Sequence, residues 1–264
     1  MNPSPKIMGV VNVTPDSFSD GGLYLDPEAA VAHGRELAEA GAEILDVGGE
    51  STRPGAEPVR AEEELRRVVP VIRGVADSSA RISVDTSKAE VATAALDAGA
   101  EIVNDVTALR GDPEMAPLCA ERGAVVVLMH MLGEPRTMQQ DPRYDDVVAD
   151  VKAFLAERLE AAVAAGIDEN RVWLDPGIGF GKTGVHNMEL LRRLGELREL
   201  GRPLVIGTSR KSFIGKVDGS PADQRLGGTI ASSILAAAEG ADVLRVHDVA
   251  EMRQALTVAA AILG

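Results

Sequence analysis

The stretch AEAGAEILDV, residues 38–47, ends a helix-like segment at a glycine and enters a β-rich run two residues later. The same arrangement occurs in LDAGAEIVNDV, residues 96–106, and in AAEGADVLRV, residues 237–246. Glycine can adopt the left-handed conformation that closes a helix, so Gly41, Gly99 and Gly240 each predict a tight turn from a helix into a strand. Their unequal spacing indicates recurring connections of one type and not a solenoid with a fixed period.

Eight β-rich runs can be marked along the chain, and most of the segments between them show helical periodicity. The runs are KIMGVVN, AEILDVG, RISVDT, EIVNDV, AVVVLMH, RVWLDPG, PLVIGTS and DVLRVHD. This alternation predicts right-handed βαβ units and a parallel sheet. Eight such units within 264 residues favour an α/β fold in which a closed (β/α)8 TIM barrel forms a single domain over residues 1–264. An open doubly wound sheet is the alternative.

The composition excludes several functional classes. With 27 basic and 41 acidic residues, the net charge of −14 argues against nucleic acids and anionic membranes as partners, although a small anionic ligand stays open. No apolar run approaches the roughly 18 residues of a membrane span, and the first residues do not resemble a signal peptide, so we expect a cytoplasmic protein. The single cysteine, Cys119, excludes an internal disulfide and is expected to be buried and inert.

The connections that follow strands are long, whereas those that follow helices are short, so functional residues should gather at the carboxyl ends of the strands. Polar side chains stand at nearly all of these ends. They include Asn12, Asp46, Asp85, Asn104, Asp105, His130, Asp175, Ser209, Arg245 and His247. Because buried polar groups need partners, these side chains should converge on a ligand.

The alternation of a strand places specific pairs on one face. In DVLRVHDV, residues 242–249, Arg245 and His247 point the same way and suit an anion; Ser83 and Asp85 likewise share a face. Carboxylates at the top of an apolar barrel need donors. A heteroaromatic ring rich in N–H groups, a metal or a lysine could each supply them.

Three further motifs have a composition that could bind a ligand. SRKSFIG, residues 209–215, follows a buried strand and opens a helix, an arrangement that favours a carboxylate or phosphate. STRPGA, residues 51–56, is either a simple turn or a loop whose Arg53 acts as a clamp. DPGIGFGKT, residues 175–183, looks like a nucleotide P-loop, but Pro176 occupies the position of the first required glycine, so we exclude that site.

With these residues assembled, the chain resembles the dihydropteroate synthases, a family of pterin-binding barrels. The resemblance runs nearly end to end. It rests on MGVVNVTPDSFSDGG, DVGGESTRPGA, ISVDTSKAEVA, IVNDV, LMHM, LDPGIGFGKT, GTSRKSFIG and RVHDV, in that order. It implies a transferase of folate synthesis that joins 6-hydroxymethyl-7,8-dihydropterin diphosphate to p-aminobenzoate, giving 7,8-dihydropteroate and diphosphate.

The resemblance also implies a role for each matching residue. The pterin should be held by Asp85, Asn104, Met129, Asp175, Phe180 and Lys211. The diphosphate should be held by Asn12, Arg53, Arg245 and His247, with Asn12 also contacting Mg²⁺. The p-aminobenzoate should be framed by Phe18, Thr52, Pro54, Lys211 and Ser212.

The family chemistry implies that C–O cleavage runs ahead of attack, leaving a pterin cation that Asp85 and Asp175 can stabilise while the first two long loops close over the site. Family members are typically homodimers, and the Ala-rich helix GTIASSILAAAEGA, residues 228–241, is either an interface or a buried intramolecular helix. Two alternatives stay open. One is a pterin-binding barrel that presents methyltetrahydrofolate to a corrinoid protein, which would not need the diphosphate residues, and the other is an inactive relative.

Overall fold

The computed structural model describes residues 5–14, 26–53 and 55–263. The strands are β1 (Lys6–Asn12), β2 (Ile44–Gly48), β3 (Arg81–Asp85), β4 (Ile102–Asp105), β5 (Val125–Met129), β6 (Val172–Asp175), β7 (Val205–Ile206) and β8 (Val243–Val246). The helices are α1 (Pro27–Glu39), α2 (Ala61–Val75), α3 (Ala89–Asp97), α4 (Met115–Arg122), α5 (Val147–Ala164), α6 (Gly184–Arg192), α7 (Ser212–Asp218), α8 (Leu226–Ala238) and α9 (Val249–Leu263). Short 3₁₀ turns cover Glu169–Arg171, Leu194–Leu200 and Ala222–Gln224.

The eight strands form one parallel sheet in the order β6-β5-β4-β3-β2-β1-β8-β7. The two ends of this order meet at a single bridge between Leu174 and Leu204, where the Leu174 N–H donates to the Pro203 carbonyl at 2.9 Å. The sheet therefore closes into the predicted (β/α)8 barrel, and the open-sheet alternative is wrong. Its closing seam, between β6 and the two-residue β7, is the least extensively paired part of the barrel.

The predicted turns between helices and strands are confirmed. Gly41, Gly99 and Gly240 have φ angles of 105°, 115° and 100°, a region that side chains other than glycine rarely adopt. Two helices begin where a carboxylate accepts from their free N–H groups: Asp26 caps α1 by accepting from the Glu28 N–H, and Asp146 caps α5. The glycine turns keep the links from helix to strand short, whereas the links that precede α1 and α5 are long.

Two apolar layers hold the strands. The larger lies between the sheet and the helices, and contains Leu45, Val47 and Ile72 among many buried residues. The smaller fills the interior of the barrel and consists of Met8, Ile44, Ile102, Val125, Val127, Trp173, Val205 and Val243. Within the described residues no helix is long and apolar enough to cross a membrane.

Candidate active site

The interior of the barrel changes from apolar to polar at the carboxyl ends of the strands. Successive strand residues point to opposite faces, so the residue two places after an interior apolar one also points inward. Asn104 thus follows Ile102, Asp175 follows Trp173 and Arg245 follows Val243. The apolar interior cluster forms the floor on which these polar side chains stand.

Asp46 of β2 is the centre of this polar layer. It is fully buried, and its carboxylate accepts hydrogen bonds from the Ser83 hydroxyl at 2.6 Å, the Asn104 amide at 3.1 Å and Nε of Arg245 at 2.6 Å. A buried carboxylate is costly unless it is paired and hydrogen-bonded, and Asp46 is both. Asp46 thereby fixes the orientation of side chains from β3, β4 and β8.

Arg245 also contacts Asp85, because its Nη2 donates to Oδ2 of Asp85 at 2.9 Å. Burial, followed by the negative charge of Asp46, raises the pKa of Asp85 to about 7, although Arg245 acts to lower that pKa. Asp85 can therefore change its protonation state near neutral pH, which makes it a candidate for a functional rather than a structural carboxylate.

Asp175 and Lys211 form the opposite side of the layer. The Asp175 carboxylate accepts from the Gly177 N–H at 2.6 Å, and burial raises its pKa, opposed chiefly by Lys211. Burial lowers the pKa of Lys211 to about 8, a shift that the charge of Asp175 opposes. The Lys211 ammonium donates to the carbonyl of Ile178.

An apolar wall completes the pocket. Met129 packs with Val106, Met131 and Met138, and the partly buried ring of Phe180 lies against them. The Lys211 Nζ atom is 4.8 Å from the centroid of the Phe180 ring, within the range of a cation–π contact. A flat ring could be held between this wall and the carboxylates.

The rim of the barrel carries cationic and neutral donors. His247 Nδ1 lies 2.9 Å from the Ser209 hydroxyl, which also accepts from the His247 N–H at 3.2 Å. Loss of contact with water lowers the pKa of His247 to about 3, and the nearby charges of Arg245, Arg210 and Arg53 add to this effect. Arg210 also forms an ion pair with Asp248. The basic side chains at this rim could contact an anion.

Comparison with known proteins decides the family. The sequence profile of the family described as "Pterin binding enzyme" matches residues 8–247. The chain belongs to this family. It is similar to the dihydropteroate synthase of Escherichia coli, with 48% identity over 261 residues that cover 98% of this chain and 92% of the relative.

Solved members of the pterin-binding family have the same fold. The Xanthomonas albilineans dihydropteroate synthase solved with 4-aminobenzoic acid is 54% identical, with a TM-score of 0.92 over 98% of this chain and 93% of that chain. The structure of the X. albilineans enzyme with 7,8-dihydropteroate gives 51% identity and a TM-score of 0.88, covering 98% and 94%.

Most residues that the sequence predicted for this pterin-binding enzyme meet at one end of the barrel. Asp85, Asn104, Asp175, Lys211 and Arg245 share the polar layer, joined by the hydrogen bonds and electrostatic effects given above.

The remaining predicted residues lie around this layer or outside the described chain. Thr52 lines a cavity together with Asp85, Asn12 ends β1, and Ser212 begins α7 directly after Lys211. Phe18 and Pro54 were also predicted to contact a ligand, and both lie outside the described residues.

Sequence reasoning gave no specific role to three residues of this region. Asp46 and Ser83 were recognised only as a strand-end residue and a face-sharing residue, although their face parity with Asn104 was the signal that could have joined them. Lys182 was dismissed together with the P-loop resemblance, yet it is almost completely buried behind the pocket. No local pattern indicates that burial.

Proposed function

We propose that this pterin-binding enzyme is a dihydropteroate synthase, which transfers the dihydropterin methylene group from diphosphate to the amine of p-aminobenzoate. The observation that carries the proposal is the combination, in one polar layer at the end of the barrel, of the carboxylates Asp85 and Asp175 with the cations Lys211 and Arg245. The E. coli and X. albilineans relatives with this name support it at about half-identical sequence.

Pterin recognition follows from the donors and acceptors of the polar layer. A pterin presents several N–H donors and ring acceptors along one edge, so carboxylates match its donors and an amide such as Asn104 can match both types. The ring is held against Met129 and Phe180. Asp46 and Arg245 keep the edge-binding side chains in place before the ligand arrives, which reduces the ordering cost of binding.

Diphosphate binds at the cationic rim, near Arg245, His247 and Arg53. A protein site for Mg²⁺ usually provides one or two oxygen ligands while water and substrate phosphates supply the rest. The residues at the rim fit this pattern: Asn12 offers an amide oxygen, and the described residues contain no group of three or more His, Cys, Asp or Glu side chains that could hold a metal alone. Bound Mg²⁺ would neutralise charge on the departing diphosphate.

The reaction forms a C–N bond and breaks a C–O bond. The C–O bond to diphosphate breaks first, and the bonding electrons leave with the diphosphate, which Arg245 and His247 stabilise. Asp85 and Asp175 offset the positive charge on the pterin. The amine of p-aminobenzoate, held near Thr52, Lys211 and Ser212, attacks the methylene carbon and afterwards releases one proton to water. The protein's contribution is positioning and electrostatic stabilisation.

A diphosphate-release assay tests the proposal. The wild-type protein, given dihydropterin diphosphate, p-aminobenzoate and Mg²⁺, should release diphosphate together with dihydropteroate, and omission of p-aminobenzoate should abolish product. Asp175→Asn should lower the affinity for the pterin substrate, whereas Lys216→Met, an exposed change on α7, should not. Methyl transfer from methyltetrahydrofolate without condensation would refute the assignment and support the corrinoid-linked alternative.

Binding order and metal dependence form a second test. In isothermal titration, p-aminobenzoate should bind only when Mg²⁺ and diphosphate are present, because they complete the site beside Thr52 and Arg53. Turnover should stop on chelation and return on addition of Mg²⁺. Normal turnover in the presence of chelator would remove the metal from the proposal.

We also propose a homodimer that uses the outer faces of α6 and α8, two helices that pack together. Val185 is 69% exposed on α6, and Leu235 is 64% exposed on α8, one turn after the exposed Ala231. The opposite face of α8 is buried against the rest of the chain. The helix can therefore pack within the protein on one face and form the dimer interface on the other. Ala231→Glu should convert a sedimenting dimer into a monomer, and an unchanged mass would contradict this interface.

A cytoplasmic location is also part of the proposal. Cys119 is buried as expected, and burial raises the pKa of its thiol to about 12, so it stays protonated and inert. A chain with one buried thiol and no possible internal disulfide is typical of a reducing compartment. Fractionation of the native cells would test the location.

A further inference from the structure

The loop between β6 and α6, residues 176–183, forms one side of the pocket and is held by four side chains. Its four consecutive carbonyls, from Ile178 to Gly181, each accept a hydrogen bond from a different side chain. The donors are Lys211 to Ile178, Gln139 to Gly179 at 2.6 Å, Lys182 to Phe180 at 2.9 Å and Tyr144 to Gly181 at 2.8 Å. A loop with so many fixed carbonyls acts as a rigid part of the site.

Glycines allow this loop to approach the chain that follows β5. Gly177 and Gly181 have φ angles of 65° and 63°. A Cβ atom on Gly177 would lie 1.9 Å from the His130 carbonyl oxygen, and one on Gly181 would lie 2.7 Å from that of Leu132. Only glycine fits at such distances, so the loop lies directly against residues 130–132.

Lys182 ties these two segments together. Its Nζ lies 2.8 Å from Nδ1 of His130 and donates to the Phe180 carbonyl at 2.9 Å, with a longer contact of 3.4 Å to the His130 carbonyl. The residue is only 1% exposed. Burial lowers the pKa of Lys182 well below its ordinary value and that of His130 to about 3. An apolar side chain would be cheaper to bury here, so retention of an amine needs a reason.

The reason lies in what the tied loop carries. Phe180 projects its ring toward Lys211 Nζ, and the Ile178 carbonyl accepts from that same ammonium. The Gly177 N–H bonds the Asp175 carboxylate. These contacts depend on the path of the backbone through residues 177–180, which Lys182 helps to fix at the Phe180 carbonyl and Gln139 at the Gly179 carbonyl.

We propose that Lys182, supported by His130, is a positioning residue of the reaction, which holds Phe180, Lys211 and Asp175 in register for the pterin ring. Lys182 itself is too deeply buried to touch a substrate, so it acts through the loop. The inference rests on the proposed synthase function. It goes beyond that function by placing a determinant of pterin affinity outside the pocket.

Lys182→Met tests this inference because methionine keeps most of the length and volume but donates no hydrogen bond. We expect the KM for dihydropterin diphosphate to rise about tenfold, the effect of losing one to two hydrogen bonds. The KM for p-aminobenzoate should rise less, by about twofold, because the loop contacts Lys211, whereas Thr52 and Ser212 lie on other segments. Lys182→Gln, which keeps an N–H donor, should give an intermediate value, and Lys216→Met should match the wild type.

The assays are run at a temperature where circular dichroism shows each variant to be folded. A variant that is folded but has unchanged KM for both substrates overturns the inference, as does an equal rise in both KM values, which would indicate general loosening. Failure of both Lys182 variants to fold would assign this residue a purely structural role and also overturn it. If the wild type does not condense the two substrates, the synthase function fails instead, independently of Lys182.

Discussion

Replacement of Asp85 by asparagine should make the protein's stability less dependent on pH. Burial and the charge of Asp46 raise the pKa of Asp85 from 3.8 to about 7 in the folded protein. The unfolded chain has the ordinary value, so between these two pKa values the folded state holds a proton that the unfolded state has lost. Stability that comes from this proton is fully present at low pH and is lost as the pH rises to about 7.

The size of the effect follows from the shift. One pKa unit corresponds to about 1.4 kcal/mol, so the ionised Asp85 costs about 4 kcal/mol at pH 8 relative to an ordinary carboxyl group. Roughly 3 kcal/mol of this cost develops between pH 5 and pH 8. Asparagine cannot ionise, yet its carbonyl can still accept from Arg245. The free energy of unfolding of Asp85→Asn, minus that of the wild type, should therefore increase by about 3 kcal/mol from pH 5 to pH 8.

Urea unfolding at both pH values measures this double difference, in which the constant loss from a weaker Arg245 contact cancels. Asp218→Asn is a matched control. Hydrogen bonds from Ser220 lower the pKa of Asp218, so this carboxylate is ionised in both states throughout the range and its difference should not change. If the difference for Asp85→Asn is equally independent of pH, the conclusion that the folded protein disfavours the ionised form of Asp85 is wrong.

Three further predictions concern other titratable groups of the protein. Asp46→Asn removes the negative charge that helps raise the pKa of Asp85, so NMR of the carboxyl groups should show a pKa below 7 for Asp85. The affinity for the pterin should also fall about tenfold, because the Arg245 guanidinium loses one of its two carboxylate partners. Lys88→Met leaves the fully buried Glu64 without the ammonium that contacts it at 2.5 Å. Urea unfolding should show that the free energy of unfolding falls by about 2–4 kcal/mol. An unchanged unfolding midpoint would contradict a stabilising ion pair. His247 is neutral in the free protein because its pKa is about 3, and bound diphosphate should raise that pKa. Calorimetric titrations with diphosphate, in buffers of different ionisation enthalpy, should therefore detect proton uptake. The His247→Gln variant should show no such uptake.

The sequence predicted the frame of this molecule because local rules govern it. The glycines at 41, 99 and 240 and the alternation within each strand depend on a few neighbouring residues, and they led to the closed barrel. They also predicted that Asp85, Asn104 and Asp175 face inward. Such features survive because a one-residue slip in a strand would exchange its two faces.

Partnerships across the barrel could not be predicted in the same way. Arg245 pairs with Asp46, 199 residues away in sequence, and this pairing depends on how far each strand is staggered when the sheet closes. Lys182 shows the same difficulty, because a lysine after a glycine-rich loop is ordinarily exposed. Its burial results from the path of the loop against His130, which no local periodicity encodes.

The seam between β6 and β7 has a consequence for motion in the barrel. Asp175 ends the strand on one side of the seam, and Lys211 follows the strand on the other, while only one bridge joins the two edges. If the barrel opens locally without global unfolding, β6 and β7 should separate first, and the distance between the Asp175 and Lys211 side chains then fluctuates. A pterin that contacts both side chains links β6 to β7, so amide hydrogen exchange around residues 204–206 should slow when the ligand binds.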